Sequence, residues 1–229
     1  MNNIESLIAK YCPNGVEFKA LQEICSLRAG DRIIKSMMNS NEKYSVMGGG
    51  VVPTGYYKEY NFLKGITIAR AGSAGFVSWQ ENPFWATDVC FVATLPQYCH
   101  TERSEVSKSN KSKNVDSSVA SLPQNDKINL KFLFYFLKTQ QNDLQKHLYG
   151  ASMPKLDKQY LWNLQIPIPP IQIQSEIVKI LDSFTELEKE LEKELEKELE
   201  ARRKQYEYYR EQLLSFESLA VRAGGGAIR

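Results

Sequence analysis

Residues 186–200 read ELEKELEKELEKELE, the tetrapeptide E-L-E-K three times over and most of a fourth. Glu, Leu and Lys are strong helix formers, and their Glu/Lys pairs fall close to the favoured four-residue spacing, so the stretch predicts a helix. That helix extends both ways, because Ile173 to Phe216 contains neither proline nor glycine. Apolar residues recur along it at Ile177, Ile180, Leu181, Phe184, Leu187, Leu191, Leu195, Leu199, Tyr206, Tyr209, Leu213 and Phe216. Their steps are mostly three and four, which is the seam of a coiled coil. Through the repeat each step is four, so the stripe drifts around the helix and locally unwinds a supercoil. A lone amphipathic helix of this length gains too little by itself, so Ile177, Phe184, Leu187, Leu191, Leu195, Leu199, Tyr206 and Leu213 are assigned to pairing with another helix. At 1.5 Å per residue it is about 65 Å long, more than a compact domain of this size needs. It reads as a spacer or a dimerisation stalk.

The remainder is long enough for one globular domain, residues 1–165. Hydrophobic residues make up 42% of the chain, ordinary for a folded protein, and no stretch approaches the length of a membrane span. The opening Met1-Asn2-Asn3-Ile4-Glu5 has no secretion pattern, so a cytoplasmic location without membrane association is expected. Cys12, Cys25, Cys90 and Cys99 show neither C-x-x-C spacing nor disulfide density, and with only His100 and His147 beside them no metal site is expected. The net charge of +2 conceals an asymmetry, since residues 186–200 hold eight Glu against three Lys while residues 1–165 hold 19 Lys and Arg against 14 Asp and Glu. A mildly basic head beside an acidic stalk is compatible with a nucleic-acid partner.

Along the chain, Asn2 to Tyr11 reads as a short helix stopped by Cys12-Pro13-Asn14-Gly15. Val16 to Leu27 is mixed, and Arg28 to Arg32 reads as a basic loop. Tyr44 to Met47 is a strand, broken at Gly48-Gly49-Gly50, resumed by Val51-Val52 and turned by Pro53-Thr54-Gly55. Gly65 to Arg70, Phe76 to Trp79 and Asp88 to Leu95 add further strands, which argues for a largely antiparallel sheet. Residues 100–127, rich in Ser, Lys and Asn, read as a flexible insert. Leu130 to Leu148 reads as one helix. Ile166-Pro167-Ile168-Pro169-Pro170 forbids helix, so 166–172 reads as a stiff extended hinge into the long helix of 173–217, with 218–229 as a flexible tail. The fold class is therefore α+β: a head with a small, mainly antiparallel sheet plus helices, then one long coiled-coil helix.

Catalytic signatures are missing. There is no G-x-x-x-x-G-K-[ST] loop and no dinucleotide fingerprint around Gly48 to Gly50. Asn82-Pro83-Phe84-Trp85 lacks the second proline and the cofactor strand of adenine methyltransferases. No nucleophile with its base stands out. No catalytic residue, metal or cofactor is assigned, and the chain reads as a binding module on a spacer.

Four stretches together resemble the specificity subunit of type I restriction-modification systems. They are Leu7 to Lys19 with Cys12-Pro13-Asn14-Gly15-Val16; Tyr44 to Tyr60, Ile66 to Gly75 and Pro83-Phe84-Trp85-Ala86; Gly150-Ala151-Ser152-Met153-Pro154-Lys155-Leu156; and Ile166 to Pro170 with Gln174 and Ile177. The resemblance implies a non-catalytic subunit whose target-recognition domain reads half of a bipartite site in double-stranded DNA. It also implies docking of adenine methyltransferase subunits, which a restriction/translocase subunit joins. Tetrapeptide repeats in the family's helices set the gap between half-sites, and E-L-E-K is similar to such a repeat. Family members carry two recognition domains and two helical regions where this sequence has one of each, so an antiparallel homodimer through the long helix is expected. The tail 218–229 resembles nothing in the family, which leaves a truncated gene product as one alternative and a coiled-coil scaffold with a protein-binding head as another.

Given a DNA ligand, phosphate contacts come from Lys, Arg, Ser and backbone amides, and base contacts from side chains on loops entering a groove. The candidates are Arg32 and Lys35 on the early loop, Tyr56 and Tyr57 after the Gly55 turn, Arg70 and Ser73 at the Gly72 to Gly75 turn, and Ser152 with Lys155.

Overall fold

Two strands in which every residue is buried, β5 (Gly65–Ala69) and β8 (Cys90–Thr94), form the centre of the head. Both are rich in Ile, Val, Phe and Thr, the residues that fit a pleated surface covered on both faces. In a computed structural model of the chain, which describes residues 3–95 and 128–214, the elements follow in the order below. They are α1 (Asn3–Tyr11), β1 (Glu17–Ala20), α2 (Leu21–Ile24), β2 (Ser26–Ala29), β3 (Tyr44–Met47), β4 (Gly55–Tyr57), β5, β6 (Val77–Gln80), β7 (Phe84–Ala86) and β8. After the undescribed stretch come α3 (Leu130–Thr139), α4 (Gln141–Leu144), β9 (Leu148–Tyr149), β10 (Lys155–Leu156), α5 (Lys158–Trp162), β11 (Gln165–Ile168) and α6 (Ile171–Leu214). The 100–127 insert, Cys99, His100, Phe216 and the 218–229 tail lie outside the described residues.

The largest sheet is antiparallel throughout, in the order β2-β8-β5-β6. Helix α3 packs against it, and Leu21, Ile24, Ile66, Ile68, Val77, Phe91, Leu133, Leu137 and Leu144 close a single core. The side chain of Asn129 accepts from the amides of Lys131 and Phe132, capping the otherwise unpaired first turn of α3. A second sheet, β4-β3-β7, supplies the lone parallel pairing among the described strands, β3 with β7. It has its own small core of Met47, Phe84, Ala86 and Val92, with Phe62 stacked on Phe84 at 5.7 Å.

Several sequence expectations change. The helix expected over 130–148 is two, because the chain leaves α3 at Gln140 and restarts as α4, and Leu148 then enters β9. Val51 and Val52 do not resume a strand but sit in the loop between β3 and β4. Arg28 belongs to β2, paired with Val92, rather than to a loop. The proline-rich segment is extended at its start, and that part is paired. Its first residues form β11, which pairs antiparallel with β1 and sets Phe18 opposite Pro167. A two-stranded ladder leaves each strand one unpaired edge, which is why a residue without an N–H is tolerated there.

The chain divides into two compact units, Met1–Val178 and Lys179–Arg229. The first turns of α6 belong to the head, where Ile173, Gln174 and Val178 are buried. The Gln174 side chain accepts from the Asn129 amide at 2.8 Å and donates to the Pro169 carbonyl at 2.7 Å. It thereby satisfies two groups that no helix or strand bonds. Ile177, expected in the pairing stripe, packs on the head core instead. In the second unit, Leu187, Leu191, Leu195 and Leu199 are 59%, 57%, 56% and 61% exposed, and Phe184, Tyr206 and Leu213 are exposed as well. Arg202 and Lys204 reach back to Glu198 and Glu200 at 3.6 and 2.7 Å, exposed i, i+4 pairs of little individual weight. No described helix is long and apolar enough to cross a membrane.

Candidate nucleic-acid interface

A backbone crossing organises the loops that carry the candidate residues. After β3 the chain runs through Gly48-Gly49-Gly50, and Gly49 passes so close to the turn after β5 that a Cβ there would lie 2.0 Å from the Ala71 carbonyl oxygen. Gly72, at φ +79°, faces it from the other side, and a Cβ on it would lie 2.7 Å from the Gly49 oxygen. Only glycine permits this approach together with the left-handed backbone. The Ser73 amide donates to the Gly49 carbonyl at 2.7 Å, which ties the two loops.

A third segment joins them. The Leu156 amide donates to the Arg70 carbonyl at 2.8 Å, and Ala71 forms an antiparallel bridge with Lys155. Lys155, far away in sequence, is thus brought to the turn that carries Arg70 and Ser73, with Ser152 exposed on the turn between β9 and β10. The Arg70 guanidinium stands 5.6 Å from the centroid of the buried Phe91 ring, which holds the half-buried side chain at the edge of the core. Among the described residues no carboxylate pairs with Arg70 or Lys155.

Lys35 and Tyr56 form a second group. Lys35 opens a short 3-10 turn, Lys35–Met37, and the following Asn39 amide donates to the Tyr56 carbonyl at 3.0 Å. Tyr56 is 40% exposed, whereas Tyr57 is 7% exposed and meets Trp85 edge to face at 5.0 Å. Alternation along β4 decides this, since adjacent residues point to opposite faces. Tyr57 is therefore a packing residue and drops out of the candidate interface. Arg32 is exposed and follows a fixed residue. Asp31 donates its amide to the Ala86 carbonyl, and its own carbonyl accepts from the Trp85 indole.

Two features escaped the sequence. Asn61 bonds both the amide and the carbonyl of Ala86 and donates to the Asp31 carboxylate, anchoring the loop that carries Arg32. No sequence signal marks it, because an isolated Asn between aromatics looks like a turn residue. Near β9, His147 stacks on Tyr160 at 3.7 Å, and the Tyr160 hydroxyl donates to the Asp143 carboxylate. That hydrogen bond, with burial adding to it, pushes the phenol from its ordinary 10.0 up to about 12. Tyr160 therefore holds its proton and links α5 to α4 through Asp143. Burial likewise pushes the Cys90 thiol up to about 12, making it a core residue rather than a nucleophile. Arg70, Ser73 and Lys155 are partly exposed, and Lys35 and Ser152 exposed, so the tied loops present cations and hydroxyls to solvent.

The sequence profile of the type I restriction modification DNA specificity domain matches residues 13–106 and 104–201, most of the chain. The chain belongs to this type I specificity family. A Haemophilus influenzae relative from the type I restriction enzyme specificity-subunit group is 33% identical over 216 residues, covering 89% of this chain and 47% of the relative. The specificity subunit of the Escherichia coli type I restriction enzyme EcoprrI is 44% identical over 99 residues, 40% of this chain and 25% of its own. The crystal structure of the type I restriction-modification S subunit from M. genitalium superposes with a TM-score of 0.60 at 22% identity, over 90% of this chain and 48% of that one. This likeness establishes the shared fold: the α+β head and long helix of this specificity-family chain. The chain spans about half the length of that structure and of the first of these relatives.

Proposed function

We propose that this specificity-family chain is a non-catalytic DNA-recognition subunit of a cytoplasmic type I restriction-modification complex, its head reading one half-site of double-stranded DNA. The observation that supports this reading best is the tying of Arg70, Ser73 and Lys155 into one cationic group, without a carboxylate partner among the described residues, by the Gly49–Gly72 crossing and the Ala71–Lys155 bridge. An uncompensated guanidinium and ammonium beside backbone amides suit phosphate oxygens, and contacts of that kind fix register on a duplex before any base is read. Methyltransferase subunits dock on the chain and the restriction/translocase subunit joins them. Two copies pair their long helices in opposite sense through the exposed leucines, which places two identical readers on an interrupted palindrome. The repeat is then a ruler, each unit adding about 6 Å of helix, against roughly 3.4 Å per base pair.

The test is a gel shift with the full chain and its methyltransferase subunit on a randomised duplex pool. Arg70→Ala is expected to weaken binding about tenfold across all sequences and to lower the slope of log K against log salt by about one. Wild-type protein that retains no duplex under these conditions would refute the proposal and favour a head that binds protein.

A further inference from the structure

The loop between β3 and β4 carries a feature that phosphate binding leaves unused. It is fastened at its start by the Ser73 amide on the Gly49 carbonyl and at its end by the Thr54 amide on the Val46 carbonyl at 2.9 Å. Gly50 and Pro53 complete its sharp path, so its backbone is dictated by residues other than those at its apex. The apex is Val51 and Val52, 54% and 69% exposed. Neither belongs to either hydrophobic core. Polar residues would hold the same loop with less apolar surface in water, so packing gives no reason for two adjacent valines here. Their β-branched side chains are stiff, which makes the tip a fixed apolar probe.

The turn to which the loop is fastened carries Arg70 and Ser73. An apolar probe flanked by phosphate-seeking groups fits a ligand that is anionic along its edges and presents a small apolar target between them. In duplex DNA that target is the C5-methyl group of thymine, which projects into the major groove. The alternative apolar use of DNA, a wedge between base steps from the minor groove, employs longer or wider side chains than valine. We infer that Val51 and Val52 are a methyl-reading tip that selects thymine within the half-site while Arg70 and Ser73 hold flanking phosphates. This inference rests on the DNA-reading function proposed above.

The experiment replaces thymine by deoxyuridine, which pairs identically and lacks only the methyl group. A randomised duplex pool is first selected with the full chain and its methyltransferase subunit, and each thymine of the recovered half-site is then changed singly. Affinity is expected to fall about fourfold at one or two positions, the worth of one buried methyl. The exposed double variant Val51→Ala/Val52→Ala should bind thymine and deoxyuridine duplexes equally. A recovered half-site without thymine, equal wild-type binding after every replacement, or a double variant that still discriminates would overturn the tip while leaving DNA reading intact. Failure to recover any sequence would overturn both.

Discussion

Helix α6 meets two fates along one unbroken backbone. In its first turns Ile173 and Val178 are buried, and Gln174 is wholly enclosed with both ends of its amide bonded. From Leu187 to Leu199 the same apolar periodicity continues, yet each leucine is more than half exposed. Both segments are helical, so helix propensity does not separate them. What separates them is whether the chain supplies its own cover. The first turns are finished as folded, whereas the apolar area of the repeat is left uncovered by the described residues.

The strongest challenge to this contrast is to replace Leu187, Leu191, Leu195 and Leu199 by Gln. This should raise the self-association constant for dissociation at least about 1000-fold by sedimentation while leaving the thermal midpoint of the head unchanged. A wild-type chain that sediments as a monomer at micromolar concentration would remove the pairing half of the comparison. Gln174→Ala addresses the finished half. It strands the Asn129 amide and the Pro169 carbonyl, and a loss of about 2–3 kcal/mol in denaturant unfolding is expected, with no change in self-association.

Deleting one E-L-E-K unit should leave head stability unchanged, because none of its residues enters the core. The mapped gap between methylated half-sites should shorten by about two base pairs. The smallest effect is electrostatic. Lys64 hydrogen-bonds Glu81 at 2.6 Å and the Trp79 indole adds a second bond, so the Glu81 carboxyl lies below its ordinary value of 4.5 despite some opposing burial. A depressed carboxylate stabilises the fold above its unfolded-state value and loses that contribution as pH falls through the folded one. The stability gap between wild type and Glu81→Gln should be open at neutral pH and close in acid. It should stay small, since the pair is solvent-exposed.

The parts of this architecture legible in the sequence are those governed by one strong period. The E-L-E-K run declared α6, and alternation or continuous apolarity declared β3, β5, β6 and β8. Pairings between short segments were not legible. Four-residue β1 carries no usable periodicity, and Pro167 argued against the strand that pairs with it. Site residues divided in the same way. Arg70 and Ser73 were visible as neighbours of a glycine turn, but their adjacency to Lys155 depends on a single bridge between distant segments. Tyr56 and Tyr57 could not be told apart until the register of β4 fixed which ring faced the core.

The pairing of β1 with β11 has a genetic corollary. The segment entering the head and the segment leaving it are hydrogen-bonded neighbours, so Glu17 to Ile168 forms a closed circuit. Two crossovers in the gene, one ahead of β1 and one beyond Val178, would exchange a head together with the first turns of α6 that close its core. On the proposed DNA-reading function, new sequence preferences would then arise by exchange of whole cassettes rather than by gradual substitution, with the E-L-E-K run retained.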